Sequence, residues 1–220
     1  MGLKRMFILG GLVLLALLAD SGNDGHAATM VNVPILREMQ ESGQADVDTI
    51  AMRWDQKSIP DPLLLEWHTS HVTVRGEGFE SLRMAFDYAI SYHSTTMHPT
   101  GTLSLSTTIS SPLSDDGPSA GAALAVGFLA VLRGDPLLNG VALVGELENT
   151  GRIGQVRRIG TLIRAAARQG YRVVLVPRGQ RQVPNVRLVG MGVEPNIIIR
   201  EVGTINEAYE IMTGKRLQLE

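Results

Sequence analysis

The sequence contains no cysteine among its 220 residues. This absence excludes disulfide bonds and thiolate metal sites, although it does not identify a cellular compartment. The five histidines lack the paired ligand spacing with carboxylates that a metal site requires, so no metal is expected. The chain also lacks a glycine-rich phosphate-binding loop of the Walker type, so no nucleotide or other cofactor is expected.

Excess charge of either sign is absent as well. The 20 basic and 22 acidic residues leave a formal net charge of −2, which gives no reason to expect nucleic acid as a partner. Hydrophobic residues make up 44% of the chain and charged residues 19%, a composition that supports a packed globular core. The length suits one domain with a small N-terminal extension.

The first 28 residues have the features of an export signal. Lys4 and Arg5 form a positive start, and residues 6–19 are an uncharged apolar run, followed by small residues at Gly25 and Ala27. The alternative is an uncleaved membrane anchor, although a helix over this run would rise only about 21 Å, short of the roughly 30 Å hydrocarbon core. The sequence therefore predicts an exported protein, periplasmic or extracellular, with cleavage after Ala27 or retention as a membrane tether as the two outcomes.

Strands and helices alternate along the remaining chain without an internal repeat, which indicates an α/β or α+β domain. We expect an N-terminal extension with strands at residues 29–62 and the main domain at 63–220. Alternating and continuous apolar runs predict strands at 31–36, 45–54, 63–74, 101–109, 141–147, 171–177 and 197–202. Helical spacing predicts helices at 80–97, 119–132, 157–169 and 204–212, with a turn at 75–78 and Gly214 ending the last helix.

One motif carries chemistry: the segment Asp115-Asp116-Gly117-Pro118-Ser119-Ala120-Gly121, between a predicted strand and a helix of small residues. It has the features of a serine nucleophile at a helix N-terminus. The glycines keep side chains out of the way, the proline fixes φ, and exposed N–H groups at the helix start can stabilise an oxyanion. The more ordinary interpretation is that Ser119 is a helix N-cap after a turn, and on this motif alone it is favoured.

A longer pattern changes that balance. The DGPSAG motif is followed by Val144-Gly145-Glu146, by Thr150-Gly151-Arg152-Ile153, and by Gly170-Tyr171-Arg172 leading into an apolar strand. This order and spacing resemble the proteolytic domain of the Lon protease family, in a stand-alone and exported form. The resemblance covers roughly residues 63–214 and is strongest at 116–177. It implies a two-layer α/β (α+β) fold and a serine peptidase acting on peptides or unfolded proteins.

The resemblance also implies a Ser–Lys dyad in which a neutral lysine takes the proton from the serine. Ser119 matches the nucleophile, Asp116 and Glu146 match acidic residues that shape the site, and the binding positions fall on Gly117, Pro118, Ala120 and Gly121. The family's lysine, however, falls on Leu162. The chain has only three lysines, at positions 4, 57 and 215. Val144 also replaces the threonine that the family usually has there.

A general base typically contributes 10²–10⁴-fold to a rate, so the missing lysine leaves the activity open. Arg158 and Arg164 are no substitutes, because a guanidinium stays protonated. A base could instead come from elsewhere in the chain, the candidates being His71, His93, His98 and Lys57. The open hypotheses are a serine peptidase, a catalytically inactive peptide-binding module, and a subunit that depends on a partner protein. Homo-oligomer formation is a further open alternative.

Overall fold

The computed structural model describes residues 28–39, 43–56, 63–69, 76–93, 99–107, 117–180 and 197–217. The strands are β1 (Thr29–Met39), β2 (Gln44–Asp55), β3 (Leu64–Thr69), β4 (Thr102–Thr107), β5 (Val141–Leu143), β6 (Glu146–Leu147), β7 (Ile153–Gly154), β8 (Val173–Pro177) and β9 (Ile198–Val202). The α-helices are α1 (Gly76–His93), α2 (Gly121–Arg133), α3 (Ile159–Arg168) and α4 (Ile205–Thr213). A 3₁₀ turn, Gly117–Ala120, directly precedes α2.

Seven strands form one sheet in the order β3-β4-β2-β1-β5-β8-β9, and β6 and β7 form a separate hairpin. Within the large sheet only β2 runs antiparallel to its neighbours; the other pairings are parallel. Six strands therefore begin at the same edge of the sheet, which we call the lower edge, and end at the opposite, upper edge. Both β1 and β2 belong to this sheet, whereas the predicted boundary near residue 62 stays a prediction.

Successive side chains of a strand point to opposite faces, so each face of this sheet needs its own cover. On one face Ile35 belongs to the larger buried cluster, which includes residues of α1, α2 and α4. On the other face Leu36 belongs to the smaller cluster, which is built around α3. The approach of α2 to the sheet is close, because a Cβ at Gly127 would lie 2.4 Å from Cγ2 of Val33. Within the described ranges, no helix has both the length and the apolar character needed to cross a membrane.

The α/β fold class is confirmed, and the differences from expectation are local. Helix α2 begins at Gly121 rather than at Ser119, and the N-cap position is taken by Ala120, without a side-chain capping bond. The interpretation of Ser119 as the helix N-cap is therefore wrong. The predicted turn at 75–78 is also partly wrong, since α1 already begins at Gly76.

Candidate active site

Ser119 lies in the 3₁₀ turn that links the upper edge of the sheet to α2. Its side chain is half-buried, between exposed Pro118 and buried Ala120. Helix α2 is then buried along almost its whole length and ends at Gly134, whose left-handed φ of 70° lets its N–H reach the carbonyls of the last turn. The turn is thus anchored to the most deeply buried helix of the domain. Asp116, predicted to shape the site, lies outside the described residues.

Two main-chain hydrogen bonds join the serine turn to the segment after β5. The N–H of Gly145 donates to the carbonyl of Ser119 at 2.9 Å, and the N–H of Ala122 donates to the carbonyl of Gly145 at 3.1 Å. Gly145 has no room for a side chain, because a Cβ there would lie 2.3 Å from Cγ2 of Ile153. This clamp explains why the strand predicted at 141–147 is divided: the chain leaves the sheet at Val144 to bind the start of α2.

A second close approach involves Gly121. A Cβ at this position would lie 3.1 Å from the main-chain nitrogen of Leu147 and 3.3 Å from its Cβ. The missing side chain therefore lets β6 pass directly beside the start of α2. Position 121 therefore requires glycine because a larger residue would not fit. The motif predicts such a close approach at this position.

The hairpin of β6 and β7 presents Glu146, which is half-buried and lies opposite Gly154. The N–H of Glu148 donates to the carbonyl of Arg152, and the N–H of Ile153 donates to the carbonyl of Gly203. Antiparallel pairs alternate between bonded and non-bonded types, so Leu147 and Ile153 form a non-bonded pair. The main-chain groups of Leu147 consequently point away from β7, towards α1 and α2.

A groove of about 350 Å³ lies between α1 and this hairpin. Its lining combines charged, polar and apolar side chains: Arg83, Met84, Asp87, Tyr88, Ser91, Leu147, Glu148 and Asn149. Burial, with a smaller contribution from neighbouring Tyr92, raises the pKa of Tyr88 above its ordinary value, so this hydroxyl stays protonated at neutral pH. Gly151, with φ of 73°, packs against Tyr88. A Cβ at this position would lie 2.5 Å from the tyrosine oxygen, so a side chain would not fit.

The position expected for the dyad lysine lies in the buried apolar core. Leu162 is 3% exposed and belongs to the α3 cluster, together with fully buried Val144, Ile159 and Ile163. The two arginines near it are engaged elsewhere. Arg158 forms an ion pair with Glu38 at 2.6 Å, and Arg164 donates to the hydroxyl of Thr161 on its own helix.

The other candidate bases cannot be placed beside Ser119. His71, His98 and Lys57 lie outside the described residues, as does the side chain of His93, the last residue of α1. The lysine that is described, Lys215, is exposed just beyond α4. In the described part of the chain no three His, Asp or Glu side chains are grouped as metal ligands.

One residue that positions the segment before α3 could not be identified from the sequence. Gln180 is fully buried after β8; its Oε1 accepts from the N–H of Val156 at 3.0 Å, and its Nε2 donates to the carbonyl of Val156 at 2.9 Å. These two hydrogen bonds from one side chain fix the segment that leads into α3. It therefore fixes the position of Leu162 relative to the clamp, although a single glutamine after a strand predicts nothing of the kind.

Comparison with known proteins gives a consistent result. Residues 85–213, more than half of the chain, match the family described as Lon protease (S16) C-terminal proteolytic domain. The chain is 33% identical over 92 residues to Lon protease of Haemophilus influenzae, covering 42% of this chain and 11% of that protein. It is 31% identical over 109 residues to Lon protease of Escherichia coli strain K12, covering 46% of this chain and 14% of that protein. The chain thus matches only a small part of these relatives' length.

Proposed function

The chain belongs to the family of Lon protease (S16) C-terminal proteolytic domains, and from that premise we propose that it binds extended peptide segments in the groove between α1 and the β6–β7 hairpin. The observation that carries the proposal is the groove itself. It opens between α1 and the β6–β7 hairpin, and its lining combines apolar side chains with charged and polar ones.

The groove also offers side-chain contacts of two kinds. Met84, Tyr88 and Leu147 provide apolar surface for alternate residues of a bound strand. Arg83 is held over the groove by ion pairs with Glu80 at 2.9 Å and Asp87 at 3.1 Å. Because these ion pairs are exposed, they contribute little to stability, and Arg83 remains able to contact a peptide carbonyl or carboxylate. The expected ligand is a peptide or a loosely folded protein.

We further propose that this chain by itself hydrolyses bound peptide slowly. A serine hydroxyl needs a base to take its proton, and the position that the resemblance assigns to the lysine holds buried Leu162. Loss of a general base lowers a rate by about 10²–10⁴-fold. On this proposal the chain is mainly a binding module that retains the frame of a serine peptidase site.

A second candidate function, peptide hydrolysis with Ser119 as nucleophile, has its own support. The clamp between Ser119 and Gly145 holds the serine turn directly before the N-terminus of α2, where the helix dipole favours a negative charge such as an oxyanion. Glu146 and Asp116 would shape this site. The base would then come from a histidine or Lys57 outside the described residues, or from a partner protein.

One experiment separates the two functions. Purified chain is incubated with a fluorophosphonate serine probe, with Ser119→Ala as control, and binding of a fluorescent unfolded peptide is measured in parallel. We expect peptide binding without rapid labelling, and weaker binding for Met84→Gln in the groove than for Met30→Gln at the lower edge. Rapid labelling that depends on Ser119 would establish the peptidase instead.

A further inference from the structure

Exposed apolar side chains are concentrated at the lower edge of the sheet. Among the described residues, five large hydrophobic side chains are exposed, and four of them lie at or just before the start of a strand: Met30 (59%), Leu64 (53%), Leu138 (49%) and Ile198 (63%). They precede or begin β1, β3, β5 and β9, all of which start at the lower edge. Isolated exposed hydrophobic residues are ordinary, but their alignment along one edge is not.

The four residues span the whole width of the sheet. Strands β3 and β9 are its two outer strands, and six strand spacings separate them. At about 4.8 Å per spacing, the row from Leu64 to Ile198 extends roughly 29 Å. A row of this length requires an extended partner surface rather than a ligand that fills one pocket.

Cations lie along the same edge. Arg172 immediately precedes β8 and is exposed. Lys215 follows α4, whose last turn reaches this edge, because the carbonyl of Met212 accepts from the N–H of Leu138 at 2.6 Å. Within the described part of the chain neither Arg172 nor Lys215 has an ion-pair partner.

The acidic groups at the ends of α2 and α4 are already engaged. The carboxylate of Asp135 accepts a hydrogen bond from the hydroxyl of Tyr209 at 2.5 Å and lies 3.8 Å from Arg133. Glu210 pairs with Arg216 at 3.1 Å. The edge therefore combines apolar side chains with free positive charge, a combination typical of surfaces that contact anionic lipid.

The chain also enters the fold at this edge. Thr29, the first residue of β1, donates its hydroxyl to the carbonyl of Val131 near the end of α2. Nine residues separate it from the apolar run at 6–19, and nine residues span at most about 30 Å. A membrane that holds the apolar run is therefore within reach of the lower edge. Ser119, at the other end of α2, faces away from that membrane.

We propose that the lower edge docks on the surface of an anionic lipid bilayer, with Met30, Leu64, Leu138 and Ile198 at the depth of the headgroups. Arg172 and Lys215 then contact lipid phosphates. The groove between α1 and the β6–β7 hairpin is left open to the aqueous side, where peptides are accessible.

The absence of cysteine makes a direct test practical. Single cysteines are introduced at positions 30, 64, 138 and 198 of the full chain, and each is labelled with an environment-sensitive nitrobenzoxadiazole dye. The matched control is Phe79→Cys, an exposed apolar position at the start of α1. The labelled chains are reconstituted into vesicles of phosphatidylcholine alone or with phosphatidylglycerol.

With phosphatidylglycerol present, we expect the four edge labels to shift to shorter emission wavelength and the label at 79 to stay unchanged. The double variant Arg172→Gln, Lys215→Gln should lower the ratio of docked to undocked chain by about fivefold for each cation removed, whereas Arg83→Gln should not. Equal emission from edge and control labels would overturn the proposal. A shift that follows protein concentration without vesicles would also overturn it, since the edge would then bind a second copy of the chain.

Discussion

Replacing Leu162 by lysine tests the assignment of the missing base. Leu162 is 3% exposed, and the cluster around it is apolar. Burial disfavours the charged form of a lysine and lowers its pKa from about 10.4 by up to 3–5 units. A lysine at this position should therefore be neutral in a substantial fraction of molecules near pH 7, and the neutral amine is the form that takes a proton from Ser119.

The same burial sets the cost of the substitution. A fall of about 3 units in the lysine pKa corresponds to about 4 kcal/mol of lost stability at neutral pH, from about 1.4 kcal/mol per unit. Between the folded and unfolded pKa values the unfolded chain binds more protons, so the stability of the variant rises with pH across that window. The penalty is fully present below about pH 7 and disappears above about pH 10.4. Leu162→Met, of similar size but without an amine, should show no such pH dependence.

The assay combines activity with folding. Leu162→Lys, measured with a fluorogenic peptide and by circular dichroism, should gain about 10²–10⁴-fold in Ser119-dependent hydrolysis. Val144→Thr should add to that gain, and Ser119→Ala should remove it. Robust Ser119-dependent turnover in the wild type would refute the assignment of the base to position 162. A folded Leu162→Lys variant that neither cleaves nor labels would refute the reasoning on the dyad and leave peptide binding alone.

The other predictions concern the frame of the site and the export of the chain. Gly121→Val should lower the Tm by several degrees, because its Cβ would lie 3.1 Å from the nitrogen of Leu147; an unchanged Tm would show that this contact can relax. Arg158 has a left-handed φ of 50°, so Arg158→Gly should be more stable than Arg158→Ala by about 1 kcal/mol in urea denaturation, and equal stabilities would contradict the strain. Thr204→Ala should cost about 1 kcal/mol through loss of the cap on α4, again measured in urea. Cell fractionation should find the protein outside the cytoplasm, whereas soluble cytoplasmic chain that begins at Met1 would contradict export.

Elements that depend on local signals were predicted well from the sequence. Thr204 caps α4 as expected, accepting from the N–H of Glu207, and Gly214 closes the helix with φ of 72°. Helix α3 and strand β8 also lie within their predicted ranges, because an amphipathic stripe and a continuous apolar run are encoded in neighbouring residues.

Features that depend on distant partners could not be predicted. The break between β5 and β6 follows from hydrogen bonds between Gly145 and the turn at Ser119, which are 26 positions apart in the sequence. Likewise, Gln180 holds Val156 across 24 positions. The position of the serine turn outside α2 also involves a distant partner, since the carbonyl of Ser119 accepts from the N–H of Gly145.

On the proposed assignment of the dyad lysine to position 162, Leu162 is best understood together with Val144. Val144 and Leu162 lie in one buried cluster, in a region that the resemblance to the family would make polar. A buried polar group without a partner costs roughly 1–3 kcal/mol, so either polar residue alone would be unfavourable in this surrounding. Two apolar residues instead stabilise the contact of α3 with the sheet by burial. None of the residues that line the groove belongs to this cluster. On the proposed assignment of the base to position 162, peptide binding in the groove therefore does not require that base.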